Sequence, residues 1–265
     1  MLVKNKTVLV TGAASGIGRC TALKFAEQGA SRIACLDIHQ ESNLDTARML
    51  RERGVEAIAV QVDIGKVAEI RRAYAEVKTA FGRLDAAAHI GGYSWRGETT
   101  EVTEEQWDTV INVNLRGTFF LCQEALKIMY AQGSGAIVNM SADAAFYPTR
   151  GFAIQAAGKG GIALMSRTLG FESASRGVRV NAVSPGIVLV QATGVGKPPG
   201  PEVPPDPLAP KLASIEDMGL QTASRRWIEA EEVANTFVFL SSDAAAGISG
   251  DMISVNRGGY PTLQF

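Results

Sequence analysis

The sequence is poor in the residues that build metal centres and covalent cross-links. It has only two histidines, His39 and His89, so no histidine-based metal site is expected. Its three cysteines, Cys20, Cys35 and Cys122, form no Cys-x-x-Cys pair and leave an odd count. A disulfide framework is therefore not expected, and the thiols read as reduced core or near-core residues of a cytoplasmic protein. Charge of one sign is lacking too: 26 Lys and Arg stand against 27 Asp and Glu, mixed along the chain. With a net charge of −1, neither nucleic acid nor an anionic membrane is an expected partner. No apolar run reaches the roughly 20 residues of a membrane span. The N-terminus carries Lys4 and Lys6 and passes at once into strand-like sequence, which does not read as a signal peptide.

What is present suits one α/β domain spanning 1–265. Hydrophobic residues make up 46% of the chain, an ordinary globular share. Short β-branched runs alternate with longer helix-patterned stretches, the pattern of βα units on a parallel sheet. Strands are predicted at Thr7–Thr11, Arg32–Asp37, Ala57–Val62, Ala86–Ile90, Ala136–Met140, Arg179–Val183 and Met252–Val255. Helices are predicted at Ile17–Gln28, Leu44–Arg53, Val67–Phe81, Glu104–Ala131, Phe152–Ser175 and Glu231–Leu240. Gly29, Gly54 and Gly82 stand where three of these helices should stop. The fold class is a Rossmann-type, doubly wound, seven-stranded parallel sheet with helices on both faces. Seven of the ten prolines fall between Pro198 and Pro210, so 190–222 reads as a loop or lid within the domain.

The strongest local signal is Val8-Leu9-Val10-Thr11-Gly12-Ala13-Ala14-Ser15-Gly16-Ile17-Gly18, a strand running through a glycine-rich turn into a helix. Such a turn lets the backbone approach a pyrophosphate, and the helix N-terminus favours its charge. The next strand ends in Asp37, about 20 residues on, where a carboxylate can accept both ribose hydroxyls of NAD. It would repel a 2′-phosphate, and no Arg or Lys stands in the turn before Gly16 or directly after Asp37. NAD is thus favoured over NADP. Glu41 and Ser42 read as the cap of the next helix in preference to Asp37.

The spacing of Gly12, Gly16 and Gly18 resembles that of the short-chain dehydrogenase/reductase family, and the resemblance covers nearly the whole chain. Asn112-Val113-Asn114-Leu115-Arg116-Gly117, Asn181-Ala182-Val183-Ser184-Pro185-Gly186, Glu231-Glu232-Val233-Ala234 and Gly258-Gly259 all fit its pattern. The resemblance implies a cofactor site at Gly12, Ser15, Gly16, Ile17, Gly18, Asp37, Asp63, Ile64, His89, Gly91, Lys159, Pro185 and Gly186, with Asp63 at the adenine. It also implies hydride transfer aided by a tyrosine, a lysine four residues on, a serine thirteen residues before the tyrosine, and an asparagine matched by Asn114.

The pattern departs at the reacting end. Lys159 matches the lysine, but Gln155 stands at the tyrosine position and Ala142 at the serine position. Moving the register by one makes Ser141 the serine but supplies no tyrosine. The family's Asn-Asn-Ala-Gly reads His89-Ile90-Gly91-Gly92, and the threonine expected after Pro185-Gly186 is Val190. A glutamine amide can donate a hydrogen bond but cannot give up a proton near neutral pH. Acid–base catalysis contributes on the order of 10²–10⁴ in rate, so the loss matters. Tyr147 and Asp143 are candidate substitutes, and His89 is a candidate proton shuttle or structural hydrogen-bonding residue.

Two readings follow. One is an NAD-dependent oxidoreductase acting on a hydroxyl, carbonyl, enone or imine with unconventional proton handling. The other is a catalytically silent subunit assembled with an active paralogue. The resemblance implies a tetramer, either of one chain or mixed, built through the helices at Glu104–Ala131 and Phe152–Ser175. Gly158, Gly160 and Gly161 suggest close helix packing there. Tyr93, Trp95, Phe146, Tyr147 and Phe152 suggest a partly aromatic pocket for an apolar, ring- or acyl-containing small molecule.

Overall fold

A computed structural model describes residues 1–148, 151–189, 224, 226 and 228–258. The proline-rich segment 190–222, with Val190, lies outside them, as does Gly259. The main sheet contains β1 (Thr7–Thr11), β2 (Arg32–Asp37), β3 (Glu56–Gln61), β4 (Ala86–His89), β5 (Gly135–Met140), β6 (Val178–Pro185) and β9 (Met252–Val255). All pairs are parallel, in the order β3-β2-β1-β4-β5-β6-β9. These are the seven predicted strands, with ends moved by at most two residues. A short parallel pair, β7 (Val188–Leu189) with β8 (Ile228–Glu229), was not predicted, since two-residue strands carry no periodicity.

β1 is buried along its whole length because it lies between β2 and β4 with helices on both faces. Val8 and Val10 face a core shared with α1 (Gly16–Glu27), α2 (Gln40–Arg51) and α7 (Ala230–Leu240). Leu9 faces the opposite core, with α3 (Val67–Phe81) and α5 (Gly117–Gln132). The long helix α6 (Ala153–Ala174) packs along β6. The chain steps from β1 outward to β3 and returns to β4 beside β1. This reversal opens a crevice at the C-terminal ends of β1 and β4, where α/β sheets bind ligands.

Two local predictions fare differently. Gly29, Gly54 and Gly82 all have positive φ at helix ends, and the Gly82 amide closes α3 onto the Lys78 carbonyl at 2.8 Å. The continuous helix Glu104–Ala131 is corrected. It is α4 (Glu104–Ile111), a π-helical turn over Asn112–Arg116, and then α5. The widened turn brings Gly117 so close to Ile64 that a Cβ there would sit 2.4 Å from the Ile64 carbonyl oxygen. The cap of α2 is corrected as well. The helix begins one residue after His39, whose amide donates to Asp37 Oδ1 at 2.9 Å, so Asp37 does brace this turn.

A buried polar chain ties both sides of the sheet's centre. Tyr74 of α3 donates its hydroxyl to His89 Nε2 (2.8 Å), and His89 Nδ1–H donates to Asn139 Oδ1 (2.8 Å). Asn139 Nδ2 donates to Ser166 Oγ (3.0 Å), and that hydroxyl donates to the Ile162 carbonyl (2.7 Å). This chain fixes the His89 tautomer and satisfies both ring nitrogens of a neutral imidazole. Complete burial pushes the imidazole down to about 4. The unfolded chain therefore binds one more proton than the folded chain between pH 6.5 and 4, and stability falls as the pH drops through that window. The loss from this group is on the order of 3 kcal/mol. Urea unfolding at pH 7 and pH 4.5 is expected to show this acid-side loss, and His89→Asn is expected to flatten it while lowering stability at pH 7. An unchanged slope in the variant would remove His89 as its source.

Candidate active site

The glycine turn is shaped by close backbone approach. A Cβ on Gly18 would lie 1.9 Å from the Gly12 carbonyl oxygen. Gly12 has φ of +70°, and its Cβ would lie 2.9 Å from the Gly91 backbone. Thr11 Oγ1 accepts from the amides of Ile90 (2.9 Å) and Gly91 (3.0 Å), fastening the exit of β4 to the end of β1. Thr46 Oγ1 donates to the Ala13 carbonyl at 2.8 Å, and Arg19 Nε donates to Thr46. Thr11 and Thr46 were missed in the sequence because a threonine beside a turn carries no distinguishing pattern.

Asp37 Oδ2 accepts from the Ala14 amide at 3.0 Å. Each carboxylate oxygen has a second lone pair, so Asp37 can hold the turn and still accept hydroxyl hydrogens. Ser15 occupies the N-cap of α1, makes no side-chain cap, and no acidic residue stands in the helix's first turn. The α1 amides at Gly16, Ile17 and Gly18 are thus left to an external anion. The bare glycines leave room for a dinucleotide's pyrophosphate beside these amides, and Asp37 stands at the end of the neighbouring strand. On the flank, Asp63 Oδ1 accepts from Gly65 N at 2.9 Å, and Lys66 pairs with Asp63 at 3.4 Å. Ile64 reaches within 3.3 Å of where a Gly91 Cβ would stand. His89 departs from its expected part in the cofactor site. Its ring is 2% exposed and committed to Tyr74 and Asn139, so its side chain is structural and offers nothing to a dinucleotide or a proton relay.

At the other end, Asn114, Gln155 and Lys159 come together. The π-helical turn points Asn114 at the Tyr93 backbone, where Oδ1 accepts from Tyr93 N (2.9 Å) and Nδ2 donates to Tyr93 O (2.8 Å). Asn114 Nδ2 also reaches Gln155 Oε1 at 3.4 Å. Lys159 Nζ donates to the Met140 carbonyl at 2.9 Å, and burial pushes its ammonium down to about 8. Ala142 is extended at the strand end. Ser141 cannot take the serine's place, since its hydroxyl donates to the Lys159 carbonyl at 2.9 Å. Of Gly158, Gly160 and Gly161 in α6, only Gly161 is sterically required within the chain. A Cβ on Gly158 would meet Asn114 at 3.6 Å and one on Gly161 would meet Leu115 at 2.8 Å, whereas Gly160 faces open space.

Asp143 points toward the ends of β6 and β9. Its Oδ1 accepts from Ser184 Oγ at 2.9 Å, while the buried Oδ2 lies 3.3 Å from where a Gly186 Cβ would stand, as does Asn256. Burial pushes this carboxyl up, and hydrogen bonding from Ser184 and Asn256 opposes the shift. Gly186 itself is tied to β9 by its amide, which donates to Val255 O at 3.1 Å, directly after Pro185 ends β6. Tyr147 is half-buried, with its amide on the Asp143 carbonyl. Trp95 does not line a pocket as expected: it is buried in a satellite core with Val110 and Ile154, against which Tyr93 packs. The loop carrying it is pinned to the entrance of α6, with Gly97 N donating to Gly151 O at 3.0 Å and the Arg96 guanidinium over the Phe152 ring. Phe146 is exposed.

The chain is similar to known proteins over most of their length. Residues 12–260 match the family model described as enoyl-(acyl carrier protein) reductase. The chain is 34% identical over 255 residues to the 3-oxoacyl-(acyl-carrier-protein) reductase FabG of Staphylococcus aureus strain Mu50, covering 96% of this chain and 98% of the relative. It is 35% identical over 256 residues to the D-threitol dehydrogenase of Mycolicibacterium smegmatis, covering 96% and 92%. The solved structure of levodione reductase superposes with a TM-score of 0.84 at 28% identity, covering 96% and 97%. The chain therefore belongs to the short-chain dehydrogenase/reductase family of oxidoreductases, whose cofactors are nicotinamide dinucleotides.

Lys159 carries a measurable cost. Below pH 8 its buried ammonium destabilises the folded chain, and stability rises as the pH climbs from 8 toward 10.5 and the unfolded chain alone stays protonated. Lys159→Met is expected to raise unfolding free energy at pH 7 by about 1–3 kcal/mol, with a smaller gain at pH 10. A variant less stable than the parent at pH 7 would show that Lys159 is a net structural contributor.

Proposed function

We propose that this chain is an NAD-dependent oxidoreductase for a small, apolar, ring- or acyl-containing carbonyl compound, working without the family's tyrosine and serine. The carrying observation is that Asn114, Gln155 and Lys159 meet at one end of a crevice whose other end holds the bare glycine turn and Asp37. Bound reduced nicotinamide would supply hydride. Asp37 and the α1 amides would hold the adenosine and pyrophosphate, and Asp63 would lie at the adenine. Gly91, Ile64, Pro185 and Gly186 would line the remainder, with Lys159 at the nicotinamide ribose. Asp37 favours NAD over NADP by charge. Three free cysteines suit a cytoplasmic setting.

Two routes could replace the tyrosine. Asp143, buried and with its carboxyl pushed up, is placed to hold a proton near Gly186, and Tyr147 stands in the same segment. Alternatively, the substrate's oxygen is of a kind that needs no proton at the moment of hydride transfer.

A second reading is a silent subunit paired with an active paralogue. It is favoured by Gln155 and Ala142 together with the exposed apolar residues Phe171 (87%) and Leu164 (66%) on α6, which fit burial against another chain. Either a homo-tetramer or a mixed assembly would cover them.

Substrate-dependent NADH oxidation across alcohols, ketones, enones and imines tests the first reading. Turnover by the homogeneous chain is expected, and Asp37→Ser should shift preference toward NADPH by about tenfold or more. Silence across the whole panel, with activity appearing only when a paralogous chain co-assembles, would establish the second reading instead.

A further inference from the structure

The orientation of Gln155 is dictated by main-chain atoms two steps away. The Tyr93 peptide presents a fixed donor and a fixed acceptor, and Asn114 answers both, Oδ1 to the N–H and Nδ2 to the carbonyl. The remaining hydrogen of Asn114 Nδ2 is directed at Gln155, where only the amide oxygen can receive it. Gln155 therefore spends Oε1 on Asn114 and presents Nε2, a pure donor, elsewhere. Among the described residues Nε2 has no hydrogen-bond partner, and it is absent from the fully buried unpartnered atoms, so it is open to a ligand. Gly92 keeps the space beside Asn114 and Lys159 clear, since a Cβ there would stand 2.8 Å from Asn114 Oδ1 and 3.6 Å from Lys159 Nζ.

We propose that Gln155 is the specificity-determining donor of this cleft, holding the substrate's oxygen as a hydrogen-bonded anion, and that it thereby selects α,β-unsaturated carbonyl compounds over saturated ketones. The proposal rests on the oxidoreductase reading above and names its substrate class. In an enone, hydride from a dihydronicotinamide forms a C–H bond at the β-carbon. The C=C pair moves to join the α-carbon and the carbonyl carbon, and the C=O π pair moves onto oxygen. Water then protonates the α-carbon, the C=O bond is restored, and the cofactor is left oxidised. The transient charge is an enolate, shared between oxygen and carbon, which a hydrogen bond can stabilise. A saturated ketone would leave a localised alkoxide, far more basic, that needs a proton an amide cannot give.

The test compares 2-cyclohexenone with cyclohexanone, using NADH deuterated at C4, and measures binding of substituted phenols, as enolate mimics, to the NAD⁺ complex. The expected result is reduction of the C=C bond with deuterium at the β-carbon and solvent hydrogen at the α-carbon, and cyclohexanone slower by about 100-fold or more. Gln155→Leu should lower kcat/KM for the enone by about 10²–10³ and weaken phenol binding by about tenfold or more, with NADH affinity unchanged. Gln155→Glu, which replaces the donor by an acceptor, should weaken phenol binding further. Cyclohexanone reduced as fast as the enone, or enone turnover and phenol affinity indifferent to Gln155→Leu, would overturn the proposal. NADH binding without enone turnover would overturn the substrate class alone, whereas failure to bind NADH would overturn the oxidoreductase reading beneath it.

Discussion

Everything at the C-terminal edge of this sheet depends on three backbones meeting with no side chain between them. Gly12 at the end of β1, Gly18 in the first turn of α1 and Gly91 after β4 approach so closely that a single Cβ would fall within 1.9–3.1 Å of a neighbour's main chain. Around that contact three side chains hold the main chain of the turn. Thr11 binds two amides of the β4 exit, Thr46 holds the Ala13 carbonyl, and Asp37 holds the Ala14 amide. The turn is therefore rigid before any ligand arrives, so a dinucleotide that fits it need not supply the ordering free energy.

The centre of the sheet and the reacting end of the crevice differ in how they treat buried polar groups. In the chain from Tyr74 through His89 and Asn139 to Ser166, donors and acceptors are matched, which is what makes a buried network stabilising. Near Gln155 the balance is incomplete. Lys159 is a buried cation with its ammonium pushed down, and Asp143 is a buried carboxyl pushed up by burial. Uncompensated groups of this kind reduce stability and collect where ligands bind. The π-helical turn at Asn112–Arg116 belongs with them, since such turns interrupt helices mostly at functional sites.

Most of the fold was legible in the sequence because each strand and helix advertises its own period. The run from Thr7 to Thr11 is apolar on both faces, as a central parallel strand must be, and Gly82 stops α3 where a left-handed residue is needed. Asp37 was legible from its place at the end of the second strand. Features that depend on pairing across long separations were not. Nothing local to His89 says that Tyr74 and Asn139 will occupy both its nitrogens, so its burial away from the crevice could not be foreseen. Trp95 sits in a loop with no periodicity, and its packing against Val110 and Ile154 needs the tertiary fold. The break between α4 and α5 was hidden because the apolar pattern runs through Asn112–Arg116 without a proline or a cap.

On the reading proposed above, the glycine turn and Asp37 still form a working dinucleotide site although Gln155 and Ala142 stand at the reacting end. Calorimetric titration of the purified chain with NADH, repeated with ADP-ribose, tests it most directly. Saturable one-site binding in the micromolar range is expected for NADH, with ADP-ribose retaining most of the affinity because the glycine turn and Asp37 would hold the adenosine and pyrophosphate. No saturable heat with either ligand would contradict it and leave the glycine turn with a purely structural role.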